Sequence, residues 1–266
     1  MRRIVLAFAF IVLARIAGQA QPQAYDAKID YQKGQQSVAA IDLPYSEDIT
    51  EAAIKDYMSK KGLKGSSLRG FTVYRGAKLD ESAGDPKDLH FKIEKKPHAK
   101  GTSVIYLLVA NPNEDPATRA PGDVPLDPAR TFLNNLVPSV EAANLEAQIK
   151  TQEEIVKKAQ KKKNNLADDQ TSLEKKIRNL QTDLDQNKKD QVTAAAAVQA
   201  NVNGDAEALK KAQKKMNKLL DDQGSMQKKL RNNQSDLDQN KKDQDTQQTE
   251  LDKQQQLLDS LKGRRK

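Results

Sequence analysis

The chain has 266 residues, a formal net charge of +8, no cysteine and few aromatic residues, which make up 4% of the sequence. A chain of this length accommodates one or two domains. The lack of cysteine excludes a disulfide framework and a lipidated cysteine anchor. The charge is unevenly distributed, because residues 21–137 are neutral whereas residues 138–266 carry a net charge of +5.

The first twenty residues have the pattern of a secretory signal peptide. Two arginines precede an apolar run at 4–14, and the small residues Gly18 and Ala20 provide a cleavage site after Ala20. The run is too short to cross the roughly 30 Å hydrocarbon core as a helix. We therefore expect an exported protein, periplasmic or associated with the cell envelope, with no transmembrane segment after cleavage. An uncleaved membrane anchor is the alternative.

The segment 21–110 is predicted to be a small α+β domain of the order ββαβββ. Apolar and polar residues alternate in most of its predicted strands, which is typical of half-buried strands. Ser46 can cap the single helix, and Gly62 can end it. The last strand is apolar throughout and is predicted to be the most buried. The strands are predicted around 25–31, 39–43, 71–73, 89–93 and 104–110.

A proline-rich linker is predicted at 111–128, because five prolines in this stretch favour extended backbone. A helix then begins near Ala129. Phe132 and Leu133 are predicted to pack this helix back on the small domain, and Pro138 is predicted to kink or restart it. Residues 21–115 hold nearly all the aromatic residues, and we expect them to fold on their own.

The C-terminal half contains a direct repeat. Residues 153–191 and 206–244 are identical at 27 of 39 aligned positions, and both copies carry apolar residues at heptad spacing in a polar background. This pattern is typical of two coiled-coil arms. The predicted divisions are a first arm at 129–199, a turn at 200–205, a second arm at 206–262 and a basic tail at 263–266.

The segment between the arms favours an antiparallel hairpin over one continuous helix. Asn203 and Gly204 can end a helix, and Asp205 can cap the next one. Matching apolar layers with apolar layers, and polar layers with polar ones, predicts a specific register, in which the polar layers specify the alignment at some cost in stability. The predicted pairs are Leu166 with Leu237, Leu173 with Leu230, Ile177 with Met226, Leu184 with Leu219, Leu145 with Leu258, Gln170 with Asn233 and Lys163 with Asn240.

Two features of this register argue against a tight hairpin. It sets like charges beside the seam, such as Lys176 near Lys229 and Asp183 near Asp222, although such surface pairs cost little. The seam also contains many Gln, Asn, Lys and Ala residues. We therefore expect self-association or a protein partner to complete the coiled coil.

Catalytic, cofactor-binding and metal-binding residues are all predicted to be absent. The histidines are His90, on the polar face of its strand, and His98, in a turn, and neither belongs to a metal-binding motif. The chain has no nucleophile elbow and no glycine-rich phosphate loop. The carboxylate pair Asp183 and Asp185, repeated at 236 and 238, is interpreted as solvated surface.

These patterns predict a non-enzymatic exported protein of the cell envelope, a coiled-coil spacer or interaction scaffold that carries a small α+β domain. The alternative is a ligand-binding or sensing α+β domain that the coiled coil oligomerises. An aromatic pocket formed by Tyr31, Tyr57, Tyr74 and Tyr106 would favour the alternative. No nucleic-acid partner is expected, and the basic tail allows weak contact with membrane or cell wall.

Overall fold

The computed structural model describes residues 21–32, 34–80, 84–97, 99–118 and 125–265. The predicted signal peptide and His98 lie outside the described residues. The chain divides into two compact units, one that extends to Gln148 and includes Arg265, and one that spans Ile149–Arg264. None of the helices in the described ranges is both long and apolar enough to cross a bilayer.

The architecture is an antiparallel sheet with one intervening helix, followed by two long helices that pack as a hairpin. The predicted combination of an α+β domain with an all-α hairpin is therefore confirmed. The elements are β1 Tyr25–Tyr31, β2 Gly34–Leu43, α1 Glu47–Lys60, β3 Gly65–Leu68, β4 Phe71–Ala77, β5 Lys87–Lys95, β6 Ser103–Ala110, α2 Asp127–Asn201 and α3 Ala206–Gly263, with a 3₁₀ turn at Pro116–Thr118.

The sheet has six strands in the order β1-β2-β6-β5-β4-β3, and all neighbours are antiparallel. The strand β3 was not predicted, because the sequence GSSL carries no apolar alternation and its residues are largely exposed. The position of α1 agrees with its signals. Ser46 precedes the helix in extended backbone, although its side chain makes no capping hydrogen bond, and Gly62 follows the helix with a φ of 77°. The predicted burial of β6 is confirmed, since seven of its eight residues are buried.

The main core lies between one face of the sheet, α1 and the first turns of α2. Phe132 and Leu133 are buried in it, at 3% and 0% exposure, which confirms that the start of α2 packs on the sheet. The core therefore extends beyond residue 115, and the fragment 21–115 lacks part of it. Pro138 lies inside α2 without ending the helix, contrary to the predicted restart.

A second, smaller core fills the opposite face of the sheet. Tyr31 on β1 and Phe71 on β4 have ring centroids 5.3 Å apart, although three strands separate β1 from β4 in the sheet order. Strands spaced at about 4.8 Å would place β1 and β4 about 19 Å apart in a flat sheet. The sheet is therefore strongly curled, with this core on its concave side.

Asp115 connects the two ends of the curled sheet. Its carboxylate accepts hydrogen bonds from Gln32, after β1, at 3.2 Å, and from Arg69, between β3 and β4, also at 3.2 Å. Both side chains reach the same acceptor from opposite ends of the strand order. The segment that follows β6 thus links both ends of the strand order through exposed polar contacts.

Candidate interaction surface in the coiled-coil hairpin

The helical hairpin begins with a well-formed turn. The helix α2 ends at Asn201 and α3 begins at Ala206. Asp205 is extended at φ −72° and ψ 117°, and its carboxylate accepts the backbone N–H of Glu207 at 2.8 Å. This is the cap predicted for Asp205, and it satisfies one of the free N–H groups at the helix start.

The register of the hairpin differs from the predicted one by one heptad. Gln244 donates to the Gln170 side chain at 2.7 Å and to the Leu166 carbonyl at 3.3 Å. The prediction placed Leu237 opposite Leu166, seven residues before Gln244. At the other end of the unit, Glu153 and Lys262 form an ion pair of 2.8 Å, which agrees with the shifted register.

Amide side chains explain the shift. Asn187 is buried at 5% exposure and donates to the Leu219 carbonyl at 3.1 Å. In the predicted register, Gln191 would face Ala212 and Gln244 would face Ala159, which offer no side-chain acceptor, whereas the observed register gives these glutamines the side chains of Gln223 and Gln170. Leaving a buried amide unsatisfied costs about 1–3 kcal/mol. The prediction matched apolar layers and did not count the hydrogen bonds of the polar ones, and this is why it failed.

The polar seam residues form two clusters. The first amide cluster consists of Asn187, Gln191, Leu219 and Gln223. Gln191 donates to the Asn187 side chain at 2.6 Å, to the Gln223 side chain at 3.1 Å and to the Leu219 carbonyl at 3.5 Å. The Leu219 carbonyl thus accepts both seam amides, and the contact from Asn187 is the shorter of the two.

The second amide cluster consists of Asn240, Gln244, Leu166 and Gln170. Gln244 donates to the Asn240 side chain at 2.6 Å, in addition to its bonds with Gln170 and Leu166, and Asn240 donates to the Leu166 carbonyl at 3.1 Å. Each hydrogen bond of the first cluster therefore has a counterpart in the second. In both clusters the Asn and Gln donors belong to one arm and the Leu and Gln acceptors to the other.

The two clusters are copies of each other in the sequence repeat. Leu166 and Gln170 occupy the same repeat positions as Leu219 and Gln223, and the Asn and Gln donors also correspond. Exchanging the two arms converts one cluster into the other. The hairpin core therefore has a pseudo-two-fold axis perpendicular to its arms, midway between the clusters.

The shifted register also improves the charges beside the seam. It brings Lys176 level with Asp236 instead of Lys229, and Asp183 level with Lys229 instead of an aspartate. Each such exposed pair contributes at most about 1 kcal/mol. Two like-charge pairs remain at corresponding levels, namely Asp169 with Asp243 and Asp190 with Asp222. The shifted register therefore has fewer like-charge pairs beside the seam than the predicted one.

Many apolar seam residues of the repeat region remain half-buried. Leu166, Leu173 and Ile177 are intermediate in exposure, as are Leu230 and Leu237 on the other arm. Exposed large apolar side chains are few and are scattered along the arms. In the described part of the hairpin unit they are Ile155, Val192, Val202 and Leu220. The seam itself is therefore the main apolar surface of this unit.

A shallow groove of about 520 Å³ lies along the hairpin beside Val156, Leu258 and Asn164. The remaining lining residues are largely exposed lysine, glutamate and glutamine. Small-molecule sites usually combine an apolar enclosure with a few convergent polar groups. This groove has no such enclosure, so it is not a convincing ligand site.

The four tyrosines considered for a pocket do not come together. Tyr57 and Tyr74 belong to the main core, and Tyr31 and Tyr106 belong to the concave core on the other face. Tyr31 and Tyr74 are each 2% exposed. Burial raises the pKa of both tyrosines above the ordinary value, with a smaller contribution from Glu51 for Tyr74 and from Asp115 for Tyr31.

His90 was predicted on the polar face of its strand, and this was wrong. It is 3% exposed and lies on the concave face, with its ring 6.0 Å from the Tyr31 ring and 6.3 Å from the Phe71 ring. The alternation of LHFKI did not reveal that this sheet is covered on both faces. When both faces of a sheet are covered, the residues on the face opposite the main core are buried in a second core.

Asp88 is a buried carboxylate of this sheet. It is 3% exposed, and it accepts hydrogen bonds from Arg75 at 3.2 Å and from the Gly76 N–H at 3.1 Å. These contacts satisfy the carboxylate at the irregular part of the β4–β5 pairing, so its role is structural. No group of three or more potential metal ligands occurs among the described residues.

The chain matches no known protein-family model, no curated protein and no solved structure.

Proposed function

We propose that this chain is a non-enzymatic, exported protein of the cell envelope, in which the hairpin acts as a spacer or interaction scaffold for the small α+β domain. The observation that carries the proposal is the seam of the hairpin. Two long arms are aligned by paired amide clusters, so that their register and length are specified by hydrogen bonds as well as by apolar contacts. A defined length is what a spacer requires.

The small domain supports the same proposal indirectly. The four tyrosines considered for a pocket divide between two separate cores, and the buried Asp88 accepts hydrogen bonds from Arg75 and the Gly76 backbone. The ligand-binding alternative requires polar and aromatic groups that converge on an accessible cavity. The residues named above are instead buried or engaged in internal contacts. The domain therefore serves the scaffold as a folded head in this proposal.

A matched deletion tests the spacer role. Removing residues 173–179 and 231–237 together takes one heptad from each arm, retains both amide clusters and shortens the hairpin by about 10 Å. We expect a stable protein that fails to complement the phenotype of a deletion strain. Full complementation by this variant would contradict a spacer role and favour the oligomerised ligand-binding domain.

The control is deletion of 173–179 alone. This change prevents the two amide clusters from forming at the same time, so we expect a less stable hairpin. Comparing the thermal stability of the two variants separates an effect of length from an effect of misfolding.

Export is tested separately by N-terminal sequencing of the protein isolated from cells. We expect the sequence to begin at Gln21. Recovery of a chain that retains Met1 in the cytoplasmic fraction would contradict the proposal.

A further inference from the structure

The exchange symmetry of the hairpin has a consequence for assembly. Within one chain, Leu166 and Gln170 receive the amides of Asn240 and Gln244. The first arm carries the same two amides at the corresponding repeat positions, Asn187 and Gln191. In a second copy, Asn187 and Gln191 of the first arm can therefore take the place of Asn240 and Gln244 as donors to Leu166 and Gln170.

We propose that two copies of this chain exchange arms, so that the first arm of one copy pairs antiparallel with the first arm of the other. The two-fold axis of this pairing passes between Ile177 and Leu180. Gln191 of each copy then contacts Gln170 of its partner copy, which reproduces the 3.1 Å contact between Gln191 and Gln223 in the hairpin. This inference concerns assembly alone and does not depend on the proposed function.

The apolar layers fit this pairing. In the hairpin, the register places Ile177 opposite Asn233. In the exchanged pair, Ile177 of each copy faces Leu180 of the other copy, because the first arm has leucine at the repeat position where the second arm has Asn233. The neighbouring layer pairs Leu173 with Leu184. The layers between the two amide clusters are thus apolar throughout, which favours association of first arms.

The charges beside the seam present no obstacle. Lys176 of one copy lies level with Asp183 of the other, because Asp183 occupies the repeat position of Asp236. The exchanged pair therefore retains the favourable and unfavourable pairs of the hairpin. The second arms can pair by the same rule, since Gln223 and Gln244 correspond to Gln170 and Gln191.

The turn allows the arms to separate. It spans residues 202–205, and Val202 is 57% exposed. Two backbone hydrogen bonds close the turn, from Val202 N–H to Gln199 at 3.5 Å and from Gly204 N–H to Asn201 at 3.2 Å. A short connection between two seams built from the same repeat is the arrangement in which exchange between protomers costs little.

Mixing two single-cysteine chains tests the proposal, because the protein has no cysteine of its own. Full-length Gln170→Cys and Gln191→Cys chains, distinguishable by mass, are unfolded together, refolded at several concentrations and treated with a short bis-maleimide linker. The two positions are about 31 Å apart along one helix, so a link between them must join two copies. We expect linked heterodimers at twice the monomer mass, increasing with concentration.

The control replaces Gln191→Cys with Thr193→Cys, whose side chain lies on the exposed face of the same arm. Heterodimer yield no higher than in this control would overturn the proposal. Links only between identical chains would show parallel pairing and would also overturn it. Mixing Gln223→Cys with Gln244→Cys repeats the test on the second arm, and keeps the result decisive if a first-arm variant fails to fold.

Discussion

The sheet unit and the hairpin unit are stabilised by different interactions. The largest fully buried side chains of the sheet unit are almost all apolar or aromatic, such as Phe91, Leu107 and Leu133. In the hairpin unit, by contrast, the buried side chains include the amides of Gln152, Asn187, Asn240, Gln247 and Gln254. Apolar burial defines the fold of the first unit, whereas amide hydrogen bonds define the register of the second.

The difference shows why apolar patterning succeeds in one region and misleads in the other. A sheet face is specified by alternation, because a shift of one residue turns every side chain to the opposite face. A heptad seam tolerates a shift of seven residues without exposing its apolar positions. The choice between such registers then depends on the polar layers.

The largest expected effect is loss of the small domain when α2 is removed. The fragment 21–115 lacks Phe132 and Leu133, so it should leave the main core exposed and fail to melt cooperatively. The fragment 21–148 should melt cooperatively. All six tyrosines lie in this region, so near-ultraviolet circular dichroism reports on it selectively. A cooperative transition in the shorter fragment would show that α2 is dispensable.

A leucine substitution in each unit sharpens the comparison. Leu133→Ala empties a fully buried site and should cost about 2–5 kcal/mol of the free energy of unfolding. Leu166→Ala removes a half-buried seam side chain and should cost about 1 kcal/mol. Denaturant titrations followed by tyrosine signals for the first variant, and by helical circular dichroism for the second, measure the two effects. Equal costs would contradict the difference between the cores.

Removing an amide from the seam tests its part in the hairpin. Gln244→Ala deletes the bonds to Gln170, Leu166 and Asn240, and we expect a loss of about 1–2 kcal/mol in hairpin stability. The control is Gln239→Ala, because Gln239 is exposed and bonds only along its own helix with Asp243. This control should change stability by less than about 0.5 kcal/mol. Similar losses in both variants would assign no special role to the seam amide.

The smallest predicted effect is a dependence on alkaline pH confined to the sheet unit. Burial raises the pKa of Tyr74 above its ordinary value, so the folded state holds this proton more tightly than the unfolded chain. Stability is unaffected below pH about 10 and falls as the pH rises from there through the folded pKa. Tyr74→Phe should make the urea midpoint of the domain fall less steeply above pH about 10. An unchanged slope would contradict the shift.

Much of the fold could be predicted from the residues. The strand alternation from Tyr25 to Tyr31, the cap at Asp205 and the apolar run of β6 each identify an element through a local rule. The strand β3 and the burial of His90 could not be predicted, because both depend on how the sheet curls and pairs. The absence of a shared tyrosine pocket likewise depends on which face each strand presents.

The repeat contained a signal that apolar matching did not use. Asn187 and Asn240, with the glutamines that follow them by four residues, occupy identical repeat positions. Pairing each of these amides with an acceptor on the opposite arm would have selected the observed register. The hydrogen-bonding capacity of seam residues is therefore as informative as their hydrophobicity in a polar coiled coil.

The register is tested most directly by two double-cysteine variants of the full chain. Leu166→Cys with Gln244→Cys joins positions at the same level of the two arms, where the Gln244 side chain donates to the Leu166 carbonyl at 3.3 Å. Leu166→Cys with Leu237→Cys joins the pair expected from apolar matching, which the observed register separates by about 10 Å along the helices. In dilute solution under oxidising conditions, we expect an intramolecular disulfide in the first variant and free thiols in the second. A disulfide in the second variant and free thiols in the first would contradict the register.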